Sequence, residues 1–187
     1  PDHAKKLKIK NPIISNEDLD KIKYIRHPDF KASSVKAIYK LSKGHNGLEQ
    51  ALENMVNDVE KKVDDGHNII IISDRNINKK YAPIPILLAC SCVHHSMIKR
   101  KKRSKFGIVI ESAEPREPHH FSMLFGYGAS AINPYLVNEI ITYHHNIGLL
   151  ENYTLDEAII NYNNAVAKGI LKVMNKIGIS TLHSYRG

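Results

Sequence analysis

The sequence predicts an α/β fold: a mostly parallel sheet built from successive βα units, either an incomplete barrel-like wall or an open doubly wound sheet, within a segment of a larger protein. Three observations carry this. Residues 69–72 are four isoleucines in succession, and residues 106–110 (FGIVI) are a second apolar run rich in Val and Ile. Runs of this kind suit strands covered on both faces. Around them lie longer stretches with apolar residues at helical spacing, so strand and helix alternate, as parallel strands joined by right-handed crossovers require.

Taken in order, residues 11–15 (NPIIS) read as an extended segment. Ser15 or Asn16 can cap a helix carrying Leu19, Ile22 and Ile25, which His27, Pro28 and Asp29 stop. Residues 35–41 (VKAIYKL) alternate and read as one strand. Gly44 and Asn46 turn the chain into a helix over 48–63, with Leu48, Leu52, Met55, Val56 and Val59 on one face and Asp65 and Gly66 at its end. The isoleucine strand ends in Ser73, Asp74 and Arg75, and a loop with Pro83 and Pro85 leads into a helix through Ile98. The spacing then predicts a strand over 106–111, a helix over 117–126, a short strand over 131–133, a helix over 136–145 and a long amphipathic helix over 155–177. Asp156 and Glu157 favour that last helix's first turn and Gly178 ends it, before one more strand signal at 179–182.

Composition narrows the function classes. The 187 residues suit one domain with a real core, and 27 basic against 19 acidic side chains give a formal charge of +8. The basic residues are spread out, and the one cluster, KRKKRSK at 99–105, has no interleaved aromatics. It reads as a helix end and exit loop, so no nucleic-acid partner is expected. No apolar run is long enough to span a bilayer. Cys90 and Cys92 are two apart on a helix, about 200° around its axis, so they neither chelate together nor form a relaxed disulfide. Scarce cysteine fits a reducing compartment.

The topology sends Ser73, Asp74 and Arg75, then Glu111, Glu114, Arg116 and His119, then Asn133 and Tyr135, to the C-terminal ends of successive strands. In α/β sheets that edge is where ligands and partners bind. Glu111, Glu114, Arg116 and His119 are expected to form a charge-paired cluster there, with His120 hydrogen-bonding across the loop to Glu111 or Glu114. Ser73 and Ser112 follow strands but lack a G-x-S-x-G elbow. The glycines at 126 and 128 make no phosphate-binding pattern and read as a helix end and tight turn. The His-His pairs at 94–95, 119–120 and 144–145 diverge by about 100° on a helix and provide no three-ligand spacing. No catalytic, cofactor-binding or metal-binding residue is therefore assigned.

The chain resembles the large chain of glutamate synthase. The resemblance rests on NPIIS at 11–15, ISDR at 72–75, APIP at 82–85, HH at 94–95, VIES at 109–112, RE at 116–117 and HHF at 119–121. It continues through GYGA at 126–129, AINPY at 131–135, KG at 168–169, KVMNK at 172–176, GISTL at 178–182 and SYRG at 184–187. Departures are Asn76 where the family pattern has Gly, Ser96 where it has a third His, and Pro115 and Pro118 at small or apolar positions.

The resemblance implies that residues 1–178 are the later part of the central domain and that 179–187 begin the FMN-binding synthase region. It implies an intact enzyme making two glutamates from glutamine, 2-oxoglutarate and reductant, with FMN and an iron–sulfur cluster bound elsewhere and none in this segment. The implied partners are the glutaminase and FMN synthase domains of the same chain and an electron-donor subunit, domain or ferredoxin. The expected setting is a soluble, reducing compartment, cytoplasmic or plastid/organellar, and the segment alone is expected to be inactive and prone to self-associate. The alternative from the residues themselves is a freestanding α/β module holding an anionic small molecule near Arg75 and Arg116.

Overall fold

A computed structural model of the chain describes residues 11–176. Its elements are α1 (Asn16–Lys23), β1 (Ala32–Lys36), β2 (Ile38–Lys40), α2 (Gly44–Asp64), β3 (Ile69–Ser73), β4 (Tyr81–Pro83), α3 (Ile86–Lys99), β5 (Gly107–Glu111), α4 (Pro118–Gly126), β6 (Ala129–Asn133), α5 (Tyr135–Asn146) and α6 (Leu155–Lys176). The main sheet has the order β1-β3-β5-β6 with every pair parallel. Each strand joins beside the one before it, the winding of a barrel wall. The reversal of order that defines a doubly wound sheet does not occur among the described strands.

Both faces of this sheet are covered, which is why its central strands are continuously apolar. Ile70 and Ile72 of β3, Ile108 and Ile110 of β5 and Ile132 of β6 enter a large core with α2, α3, α4 and α6. Side chains alternate along a strand. Ile69, Ile71, Val109 and Ala131 therefore face the other way and meet Ile14 and the Leu19 and Ile22 stripe of α1. Residues 12–14 run alongside β6, with Ile132 N–H donating to Pro12 O at 2.7 Å and Ile14 N–H to Ile132 O at 2.9 Å.

Four elements differ from the sequence reading. Residues 35–41 are not one strand. Ala37, fully buried, donates its N–H to Ser73 O and accepts from Ile84 N–H, so the chain leaves the sheet there. Beyond it β2 pairs antiparallel with β4, where Pro83 and Pro85 predict a loop. Pro83 is tolerated there because β4 is an edge strand at its very end. Helix α2 begins at Gly44 rather than 48, and β6 at Ala129 rather than 131. Asn76 takes φ +73°, the left-handed region that favours glycine and that Asn tolerates. The strand signal at 179–182, and with it the boundary at 178, lies outside the described residues.

Candidate functional site at the carboxyl edge of the sheet

The parallel register places Lys36, Ser73, Glu111 and Asn133 in one row across the strand ends. Glu111, 3% exposed, is the centre of that row. Its carboxylate accepts from Ser73 Oγ at 2.5 Å and Lys23 Nζ at 2.6 Å, and Arg75 Nε lies 3.4 Å away. A buried carboxylate is sustained only by such partners. Lys23 comes from α1, so the ion pair also fastens that helix over the sheet edge.

Asp74, 2% exposed, forms a second knot. It accepts from Ser112 Oγ at 2.5 Å, Tyr135 Oη at 2.8 Å and the Ala113 N–H at 3.2 Å. The Arg75 guanidinium lies over the Tyr135 ring at 4.0 Å and pairs with Glu139 of α5 at 3.2 Å, so Arg75 joins the two knots. Burial pushes the Tyr135 phenol well above its ordinary pKa, and the hydrogen bond and charge of Asp74 push the same way.

A third group is made of amides. Asn133 Nδ2 donates to Ile14 O at 3.1 Å and to Asn16 Oδ1 at 2.9 Å, and Asn138 Nδ2 donates to the same Asn16 oxygen at 3.1 Å. The Ile14 carbonyl can only accept, which fixes the orientation of Asn133 and through it those of Asn16 and Asn138. The Oδ1 atoms of Asn133 and Asn138 are buried without a partner among the described residues. Beside these groups a shallow cleft of about 200 Å³ is lined by Asn16, Leu19, Asp20, Lys23, Arg75 and Glu111.

The structure thus brings Ser73, Asp74, Arg75, Glu111, Asn133 and Tyr135 together and leaves out Glu114, Arg116 and His119. The expected cluster of Glu111 with Glu114, Arg116 and His119 does not form, because Lys23 and Arg75 already neutralise Glu111. Glu114 instead accepts from the Ile86 N–H at the start of α3 at 3.0 Å. Although the residue is exposed, desolvation of its carboxyl raises its pKa, a shift which that hydrogen bond opposes. Arg116 and His119 are exposed. His120 turns back to its own helix, where Nδ1 accepts from the Arg116 N–H at 3.2 Å and the Glu117 N–H at 3.4 Å. His94 is buried and accepts from Arg103 Nε at 3.0 Å. Among the described residues no three His, Cys, Asp or Glu side chains gather as a metal site.

Lys23, Asn16, Asn138 and Glu139 were missed, whereas Ser112 lies at the strand end where the sequence puts it. Lys23 follows Leu19 by four positions and so shares the stripe of α1 that faces the sheet, a signal available in the sequence. Asn138 and Glu139 offered none, because their contacts depend on where α5 docks. Chemically, the two serine hydroxyls donate to carboxylates that other donors already engage. The arrangement holds α1, β3, β5, β6 and α5 in fixed relation.

Comparison with known proteins identifies the family to which this sheet and its edge belong. A family profile described as the glutamate synthase central domain matches residues 1–187. The chain is 38% identical to the glutamate synthase [NADPH] large chain of Bacillus subtilis, with 99% of this chain and 12% of that protein covered. It is 37% identical to the glutamate synthase [NADH] of Schizosaccharomyces pombe, with 98% of this chain and 9% of that protein covered. It is 34% identical to the ferredoxin-dependent glutamate synthase of Pyropia yezoensis, covering 100% of this chain and 13% of that protein. The chain therefore spans only about an eighth or less of these relatives' length, and over its own whole length it belongs to the glutamate synthase central domain family.

Proposed function

We propose that this chain is the central-domain segment of a glutamate synthase, the enzyme that turns glutamine, 2-oxoglutarate and reductant into two glutamates. In this reading it couples the glutaminase and FMN synthase domains and is not catalytic alone. Its carboxyl edge contacts those domains or lines the path of ammonia between them, and residues 179–187 begin the synthase region. The observation that carries the reading is the closed network at that edge. Glu111, Asp74 and Arg75 are each matched by partners within the chain, which suits a strut better than a reaction centre. The same closure counts against a freestanding anion-binding module, since the charge of Arg75 is already met by Glu111 and Glu139.

The intact enzyme would carry FMN and an iron–sulfur cluster, and the residues of this segment do not fit either. A cluster needs about four thiolates, and here there are two cysteines, Cys90 and Cys92. Cys90 is buried with its Sγ donating to Tyr127 O at 3.4 Å. The cleft beside Glu111, about 200 Å³, is too small for a flavin nucleotide by the usual size of cofactor pockets. Both groups belong to other parts of the enzyme, and an electron-donor subunit, domain or ferredoxin supplies the reductant.

The test is an assay of the full-length protein with glutamine and 2-oxoglutarate and, in turn, NADH, NADPH or reduced ferredoxin. Two glutamates per cycle with one of these donors is the expected result, and no glutamate with any of them overturns the reading. The 187-residue chain alone is expected to release no ammonia from glutamine and to purify colourless. Stoichiometric yellow flavin retained on it would contradict the assignment of FMN to another domain.

A further inference from the structure

We infer that the outward face of α5 and the turn after it form the docking surface for another domain of the same polypeptide, one that presents an apolar patch rimmed by Lys or Arg. The inference rests on the reading of the chain as a segment of a larger enzyme. It names a surface that adjoins the carboxyl-edge network at Glu139, the α5 partner of Arg75.

The first observation is that α5 carries apolar side chains on both sides. It buries Tyr135 and Asn138 and half-buries Leu136, Val137 and Ile141. Its other side carries Ile140, Tyr143 and Ile147, spaced three and four apart and hence on one stripe. Tyr143 is 61% exposed and Ile147 51%. The turn that follows adds Leu149 at 66% and Tyr153 at 50%. A helix with apolar residues on its outward face is one that something covers.

The second observation is charge. The protein has 27 Lys and Arg residues, yet not one stands between Arg116 and Lys168. Apart from Glu139, which Arg75 already pairs, the charged residues that accompany the patch are Glu151 in the turn and Asp156 and Glu157 at the start of α6. Depletion of lysine with tyrosine at the centre is the composition of an interface core. A second copy of this chain is a poor occupant, because a two-fold pairing of this face would set Glu151, Asp156 and Glu157 against their own copies, and residues 117–167 hold no Lys or Arg to separate them. A covering domain with a basic rim meets both the apolar stripe and the acidic border. The relatives supply room for it, since this chain accounts for 12% and 9% of the first two.

The experiment places a photo-crosslinking amino acid, p-benzoylphenylalanine, at position 143 of the full-length protein. The side chain is exposed and aromatic, so the change preserves folding. After irradiation the product is sized on a denaturing gel and the linked peptide is identified by mass spectrometry. The expected result is an intramolecular link, at the mass of one chain, to a peptide outside residues 1–187. A link to residues 1–187 of a second chain, or no link at all, overturns the inference. Failure of the glutamate assay with a successful intramolecular link would remove the enzyme assignment and leave the docking surface standing.

Discussion

Glu111 shows at the scale of one residue why the carboxyl edge is a structural knot. It is buried, and two cations and a hydroxyl converge on it. In Glu111→Gln the charge is removed and Lys23 and Arg75 are left facing each other over a neutral amide. Breaking one partner of a buried ion pair costs about 3 kcal/mol, an upper bound here because Lys23 and Arg75 reach solvent and Arg75 keeps Glu139, and urea unfolding should show a lowered midpoint. Tyr135 and Tyr162 give a pH signature. Burial raises the Tyr135 phenol well above its ordinary value and pushes the Tyr162 phenol up to about 12. The folded chain then holds protons that the unfolded chain loses near pH 10. Their contribution is complete below about pH 10 and declines as pH rises through the folded-state values, so stability should fall across that alkaline range. Tyr135→Phe with Tyr162→Phe should flatten that decline, as measured by denaturant titrations at successive pH values.

Elements were legible in the sequence where one physical signal dominated. The four isoleucines of β3 could be placed because a strand covered on both faces has no polar alternative, and the stripe of α2 because its period is unbroken. The bend at Ala37 was not legible, since a small apolar residue looks the same in a strand and at a corner where two sheets share its backbone. The edge location of Ser73, Asp74, Arg75, Glu111, Asn133 and Tyr135 followed from topology alone. Which of them would pair did not, because Lys23 and Glu139 arrive from helices whose docking the local sequence leaves open. Helix packing provides its own test. A Cβ built on Gly169 of α6 would lie 2.4 Å from Cγ of Pro118, a ring at the start of α4 that cannot rotate aside. Gly169→Ala gains about 1 kcal/mol of helix propensity but loses more to the clash, with overpacking typically costing 1–3 kcal/mol. A net loss of stability is expected, and a stabilised variant in thermal melts would show that α4 and α6 can separate without cost.

For the whole molecule the question is what covers its open surfaces. The β6 edge is partly closed by residues 12–14, whereas among the described residues β1 has no strand on its outer side. Such an edge invites pairing with another chain. Light scattering of the 187-residue chain over a wide concentration range should therefore reveal association that the full-length protein does not share through this segment. A strictly monomeric chain at the highest concentration would mean that the β1 edge is already protected. No helix among the described residues is long and apolar enough to cross a membrane.

The strip at 12–14 beside β6 has a consequence in time. Because β1, β3, β5 and β6 are added in chain order, each pairing can form as soon as the next unit has left the ribosome, and none needs to wait for distant sequence. The contact of Ile14 with Ile132 is the exception, for it closes a loop that encloses the entire sheet. Loop closure of that length is slow to be repaid, so α1 and its strip should dock last, onto a wall already built. Leu19→Ala should then speed unfolding and leave the folding rate nearly unchanged in stopped-flow traces. Equal slowing of folding would instead make the N-terminal strip part of the nucleus.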